Sequence, residues 1–234
     1  MKTYLKENAL KLNIELTDEM MDRFFLYKDL LLEWNEKIIL TAITEEKEIL
    51  IKHFIDSLTI AKYIPQDAKI IDVGTGAGFP GIPIKIVRPD VEVVLLDSLN
   101  KRINFLNEVI EKCKLEKIKT IHGRAEEIAH KKEYREKFDI STARAVANIS
   151  TLSELCTPFL KLEGTFICMK ADADEERKNA EKALNILGMK EISVDCITLP
   201  EIEASRTIIL YKKIKNTPNK YPRKPGTPAK EPIK

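Results

Sequence analysis

The sequence predicts an α/β protein: a mostly parallel β-sheet with helices on both faces, preceded by a helical cap. Three observations carry this. Through residue 62 the apolar positions recur only at helical spacing, beyond Pro65 short apolar runs alternate with amphipathic stretches, and a glycine-rich turn follows the first of those runs directly. Apolar strands separated by helices imply a parallel sheet buried on both faces.

In chain order, Thr17 is placed to cap a helix through Met20, Met21, Phe24, Phe25, Tyr27, Leu30, Leu31 and Trp34. Thr44 is placed to cap a second through Ile49, Leu50, Phe54, Ile55, Leu58 and Ile60. Strands are expected at Lys69–Val73, Val91–Asp97, Ile118–His122, Phe138–Ala143 and Gly164–Lys170, with helices at Asn100–Lys114, Ser150–Leu160 and Ala173–Leu187. Two further runs, Glu191–Leu199 and Arg206–Ile214, have only a short link between them, which suggests an antiparallel pair at one sheet edge. The expected division is a helical subdomain over 1–62, the α/β domain over 63–214, and a tail over 215–234.

A hydrophobic content of 44% with 32% charged residues over 234 residues is that of a globular chain with ample core. No apolar run approaches the roughly eighteen residues needed to span a bilayer, and the N-terminus lacks a signal-peptide core, so a cytoplasmic protein with no membrane partner is expected. The four cysteines match no zinc or redox spacing; small, buried, reduced side chains and no metal site are expected.

The net charge of +2 hides an asymmetry. From Lys212 onward eight basic residues face one acid, Glu231, and five of the eleven prolines fall there; the rest of the chain is net acidic. Such a segment is expected to be a disordered, extended arm, either merely solvated or binding a phosphate backbone through residues such as Lys220, Arg223 and Lys224.

The strongest chemical signal is the turn Asp72-Val73-Gly74-Thr75-Gly76-Ala77-Gly78-Phe79-Pro80-Gly81, placed between the first strand and a helix. Glycines there let the backbone turn sharply and approach a ligand. Asp97 ends the next strand, the place for an acid that accepts from ribose hydroxyls. Gly76-x-Gly78-x-x-Gly81 satisfies the dinucleotide pattern, but it starts late, and Pro80 and Pro83 fall inside the turn and early helix. The register that begins with Asp72 instead suits S-adenosylmethionine (SAM), which brings no pyrophosphate to the helix N-terminus.

The chain resembles the ribosomal RNA small-subunit methyltransferase G family, also called the glucose-inhibited division protein B family. The residues that carry the resemblance are Leu40–Ile43, His53–Ser57, Asp72–Pro83, Leu95–Arg102, Arg124–Glu126, Ala143–Ala147, Lys170 and Arg206. Ile39 and Ala171 stand where the family often has Asn and Gly. The resemblance implies a seven-stranded, Rossmann-like SAM-dependent methyltransferase fold, and methylation of N7 of a guanosine in small-subunit (16S) ribosomal RNA. It places Gly74, Phe79, Asp97, Ala125, Glu126 and Arg144 at the cofactor, with Arg144 also bordering the substrate base. Beside the resemblance, Lys170 at the end of the fifth strand is a second catalytic candidate and Arg206 a candidate for RNA contact. The partner it implies is small-subunit ribosomal RNA or an assembling small subunit, met by a monomer. Two other readings are weighed against this: a NAD-dependent oxidoreductase using the GxGxxG register, and a non-catalytic RNA-binding or assembly factor.

Overall fold

The computed structural model describes residues 1–144, 147–199 and 205–234. Seven strands form one sheet in the order β3-β2-β1-β4-β5-β7-β6. They are β1 (Lys69–Val73), β2 (Glu92–Asp97), β3 (Ile118–His122), β4 (Phe138–Ala143), β5 (Leu160–Lys170), β6 (Met189–Thr198) and β7 (Ser205–Lys213). The strands from β3 through β5 are parallel, whereas β7 runs antiparallel to both β5 and β6. The expected antiparallel edge pair is therefore present, with residues 200–204 of its link lying outside the described residues.

Successive side chains of each strand point to opposite faces, and both faces are buried. On one side Ile70, Val93, Leu95, Ile140, Ile167 and Ile208 share a single cluster with the N-terminal helices α1 (Lys2–Leu10) and α2 (Asp18–Asn35) and with α5 (Gly81–Val87) and α6 (Asn100–Lys112). On the other, Ile71, Val94, Leu96, Phe166 and Ile209 pack against α7 (Ala125–Ile128), α8 (Ile149–Cys156) and α9 (Asp174–Leu187). The N-terminal helices are thus one covering layer of the sheet. Thr17 caps α2 as its position suggests, accepting from the Met20 N–H.

The second helical stretch differs from expectation. It is capped by Glu45 rather than Thr44, and it runs as α3 (Glu46–Ile49), a π-helical turn over Leu50–Ile55, and α4 (Asp56–Leu58). Three cysteines are buried as expected; Cys196 is exposed on β6.

The tail is the main correction. Residues 215–234 are not a disordered arm: they fold back over α7 and α8, end in the short helix α10 (Thr227–Lys230), and bury Thr217, Tyr221 and Pro228. Composition misleads here because the segment borrows its partners from the body. Arg135 donates to the carbonyls of Thr217 (3.0 Å) and Tyr221 (2.9 Å), and Arg223 forks onto Glu154, a carboxylate with no solvent exposure. An uncompensated charge at that depth would be strongly unfavourable, so Glu154 demands a cation and Arg223 supplies it. Arg223, expected at RNA, has its guanidinium committed inside the fold.

Candidate active site

In an open α/β sheet, ligands bind beyond the carboxyl ends of the strands near the point where strand order reverses. Here that point lies between β1 and β4. Two cavities lie there, one lined in part by Ala147 and the other by Arg144.

The first, of about 200 Å³, is lined by Val73 and Gly74 after β1, by Leu96, Asp97 and Ser98 at the end of β2, and by Gly123, Arg124, Ala125 and Glu126 after β3; Ala147, Leu152 and Leu155 close it. Four of the residues expected at a cofactor, Gly74, Asp97, Ala125 and Glu126, meet in this one space. The glycine-rich loop is folded around the two acids, Asp72 and Asp97. Gly76 sits at φ +63°, a left-handed conformation that a side chain disfavours, and there its N–H donates to Asp97 Oδ2 at 2.9 Å. The Leu99 N–H donates to Oδ1 of the same carboxylate (2.9 Å), and Arg102 lies 3.4 Å away. A carboxylate offers about four lone-pair positions, so Asp97 is held rigidly and keeps acceptor capacity.

Asp72 is wholly buried, and its Oδ2 accepts from the Thr75 hydroxyl (2.6 Å) and from the Gly81 N–H at the start of α5 (2.9 Å). Burial pushes its carboxyl up to about 6. A buried carboxylate therefore occupies the helix N-terminus where a dinucleotide's pyrophosphate would rest. Among the described residues Asp72 Oδ1 has no hydrogen-bond partner. Tyr27, from α2, donates its hydroxyl to the carbonyl of Ala77 and so ties the N-terminal layer to the loop.

The second cavity, of about 510 Å³, is lined among others by Lys52, His53, Asp56, Arg144, Lys170 and Arg206. Asp56, barely exposed, is its electrostatic hub: Oδ2 accepts from Arg144 Nη1 (3.1 Å) and Oδ1 from Arg206 Nε (2.9 Å). Arg144 also donates to the Lys52 carbonyl in the π-helical turn (3.1 Å) and to His53 Nδ1 (3.1 Å). His53 Nε2 meets the Thr41 hydroxyl at 2.8 Å. Because Nδ1 accepts, Nε2 carries the proton and the ring is neutral. Burial and the adjacent guanidinium push the imidazole down to about 3. Lys170, nearly buried at the end of β5, donates to the Ala147 carbonyl (3.0 Å) and pairs with Glu176 (2.8 Å).

Of the other residues singled out from sequence, Phe79 does not line the first cavity. Its ring stacks on His53, with centroids 4.4 Å apart, and lies 4.8 Å from the Arg144 guanidinium. It thereby supports the second cavity from behind. Arg144 lines the second cavity rather than the first. Lys220 and Lys224 are exposed on the tail and line neither, and Ala145 and Val146 lie outside the described residues. Sequence reasoning missed two groups. Asp56 and His53 were assigned no definite role, although a histidine and an acid one helical turn apart on an apolar stretch need buried partners. Glu154 was overlooked, although a lone acid in Ile149–Cys156 carries the same signal.

A model of the rRNA small subunit methyltransferase G family matches residues 20–207. A ribosomal RNA small subunit methyltransferase G of Alkaliphilus oremlandii is 52% identical over 237 residues, covering 100% of this chain and 99% of the relative. The protein of the same name from Desulforamulus reducens is 53% identical over 232 residues, covering 98% and 97%. Among solved structures, M. jannaschii TYW2 in complex with AdoMet is similar with a TM-score of 0.55 at 15% identity, over 68% of this chain and 75% of that one. The B. subtilis M1A22 tRNA methyltransferase TrmK gives 0.54 at 15%, over 69% and 66%. At such identity the likeness to both is one of fold. With its sequence matched from end to end by these relatives, the chain belongs to the rRNA small subunit methyltransferase G family.

Proposed function

We propose that this chain is a SAM-dependent methyltransferase that methylates N7 of a guanosine in small-subunit (16S) ribosomal RNA. Family membership supports the activity, and the two cavities at the carboxyl ends of the strands, one holding Asp97 and the other Arg144, are the observation that carries it here. The first cavity fits a nucleoside without phosphates: it offers an acid, apolar walls, and a loop whose helix end is filled by Asp72. Gly74, Asp97, Ala125 and Glu126 would hold SAM, with Asp97 accepting from the ribose hydroxyls. When bound, SAM supplies a methyl group already activated on sulfur.

What the side chains must add is placement. Guanine N7 carries an exposed lone pair on the major-groove edge, so it attacks without first losing a proton and no general base is required. The state of His53 agrees with this: both ring nitrogens are engaged and the ring stays neutral. Arg144 spends three of its five N–H donors on Lys52, Asp56 and His53. The other two have no partner among the described residues, and they are suited to an acceptor on the substrate, such as guanine O6. Asp56 pairs with both Arg144 and Arg206, offsets one of their two positive charges and fixes both side chains. Orientation of this kind is worth up to ~7–11 kcal/mol in model reactions. The target base must leave its stack to enter the cavity.

The substrate is ribosomal RNA, free or in an assembling small subunit; the work is cytoplasmic, and a monomer suffices because one chain holds both cavities. Transfer of labelled methyl from SAM to small-subunit RNA tests the reading. Transfer is expected with the native chain, and should fall at least tenfold in Arg144→Ala while calorimetry shows SAM binding within twofold. Binding of NAD(H) with none of SAM, or SAM binding with no transfer to any ribosomal RNA, would overturn it.

A further inference from the structure

Both walls that close the first cavity are gripped from behind by the C-terminal tail. The α7 wall supplies Ala125 and Glu126, and Glu126 Oε1 accepts from the Gly226 N–H at 2.9 Å. The α8 wall supplies Leu152 and Leu155, and their neighbours on the same turns, Thr151 and Glu154, are the residues the tail holds. Thr151 Oγ1 donates to the Pro228 carbonyl at 2.8 Å, and Glu154 accepts from the Arg223 backbone N–H (2.7 Å) and from its guanidinium (2.6 Å). Further back, His130 Nε2 contacts the Pro222 carbonyl (2.9 Å), and Thr217 Oγ1 donates to the Leu187 carbonyl (3.0 Å). Tyr221 sits in the apolar cluster beneath, with Ile233 packed against it. Neither α7 nor α8 is long: the first has four residues and the second eight. Helices so short do not hold their own position and depend on tertiary contacts.

We infer that residues 216–234 are a positioning strap that staples α7 to α8 and thereby sets the affinity of the cofactor cavity. This rests on the cofactor reading above and departs from the composition-based expectation of a free RNA arm. The strap touches no reacting group. Preorganised walls bind a ligand more tightly because less ordering remains to be done on binding. Its loss should therefore raise the Kd and KM for SAM and leave kcat at saturating SAM nearly unchanged.

The test compares the full chain with one ending at Lys215, and with the full-length double variant Thr151→Val, Arg223→Lys, which loosens the strap while keeping its charge. Expected results are a rise of at least tenfold in SAM Kd on truncation and severalfold in the double variant, with kcat within twofold at saturating SAM. A synthetic peptide of residues 214–234 should restore affinity to the truncated chain. Hydrogen exchange without any ligand should show α7 and α8 amides losing protection in both variants. The double variant serves if the truncated chain does not fold. Unchanged SAM affinity in the double variant, or loosened RNA binding with unchanged SAM affinity, overturns the strap. Failure of the native chain to bind SAM overturns the cofactor reading instead, and the ligand-free exchange then still decides whether the tail orders the two helices.

Discussion

At the scale of single residues, Asp56 decides the character of the second cavity, the one proposed to take the substrate base. It is the shared partner of Arg144 and Arg206, and its own side chain is almost fully enclosed. Removing one member of a buried ion pair costs more than the pair contributes, because the remaining charge is stranded. Asp56→Asn keeps the shape and removes the charge. Its transfer rate should fall about tenfold or more and its stability by about 1–3 kcal/mol, with SAM Kd unchanged; calorimetry and a denaturant melt check this, and a wild-type rate would deny Asp56 its role. His53 gives a pH signature. The unfolded chain protonates it near 6.5 and the folded chain only near 3, so stability falls as pH drops below 6.5. Asp72 acts in the opposite sense: with its carboxyl raised to about 6, the folded chain takes up a proton first and gains stability as pH falls through that value. His53→Gln isolates the first effect, since Gln keeps an acceptor for Arg144 and a donor for Thr41. Between about pH 7 and pH 5.5 the native chain should lose about 1 kcal/mol more than the variant. Parallel curves would mean that His53 is not held neutral.

At the scale of elements, local sequence determines most of what is seen. Alternation and length place all seven strands, and Thr17 marks the start of α2, because these features depend on neighbours within a few residues. The π-helical turn over Leu50–Ile55 was not legible, since its apolar spacing reads as an ordinary helix. The Lys52 carbonyl and His53 of that turn, and Asp56 directly after it, meet one guanidinium that is far away in sequence. The glycine-rich loop was legible as a ligand loop, but the need for Gly81 is a packing fact. A Cβ there would lie 2.4 Å from Leu95 Cδ2 and 2.9 Å from Asp72 Oδ2. Gly81→Ala should therefore destabilise by about 1–3 kcal/mol and disturb the Asp72 contact, lowering Tm and SAM affinity together. An unchanged Tm would show that the loop yields freely. Asp97→Ala, in contrast, should weaken SAM binding while keeping the cooperative melt.

At the scale of the whole molecule, the fold class was legible and the fate of the tail was not. Proline and lysine content correctly indicates that residues 215–234 cannot form a core alone. It says nothing of Glu154, Arg135 and Glu126, which lie far away in sequence and give the tail its partners. For the same reason the lining of the first cavity, proposed to hold the cofactor, follows from contiguous motifs, whereas the second, assembled from the π-helical turn and the ends of β4, β5 and β7, was readable only in part. The sheet brings these distant pieces to its carboxyl end, where, on the function proposed above, they act together to deliver a methyl group to guanine N7. The most direct test is reduction and amine-induced cleavage at N7-methylguanosine in small-subunit ribosomal RNA, taken from cells lacking this chain and from the same cells supplied with it. A cut that appears only when the chain is present, and disappears when it carries Arg144→Ala, is the predicted result. The same cleavage pattern with and without the chain would mean that it does not methylate guanine N7.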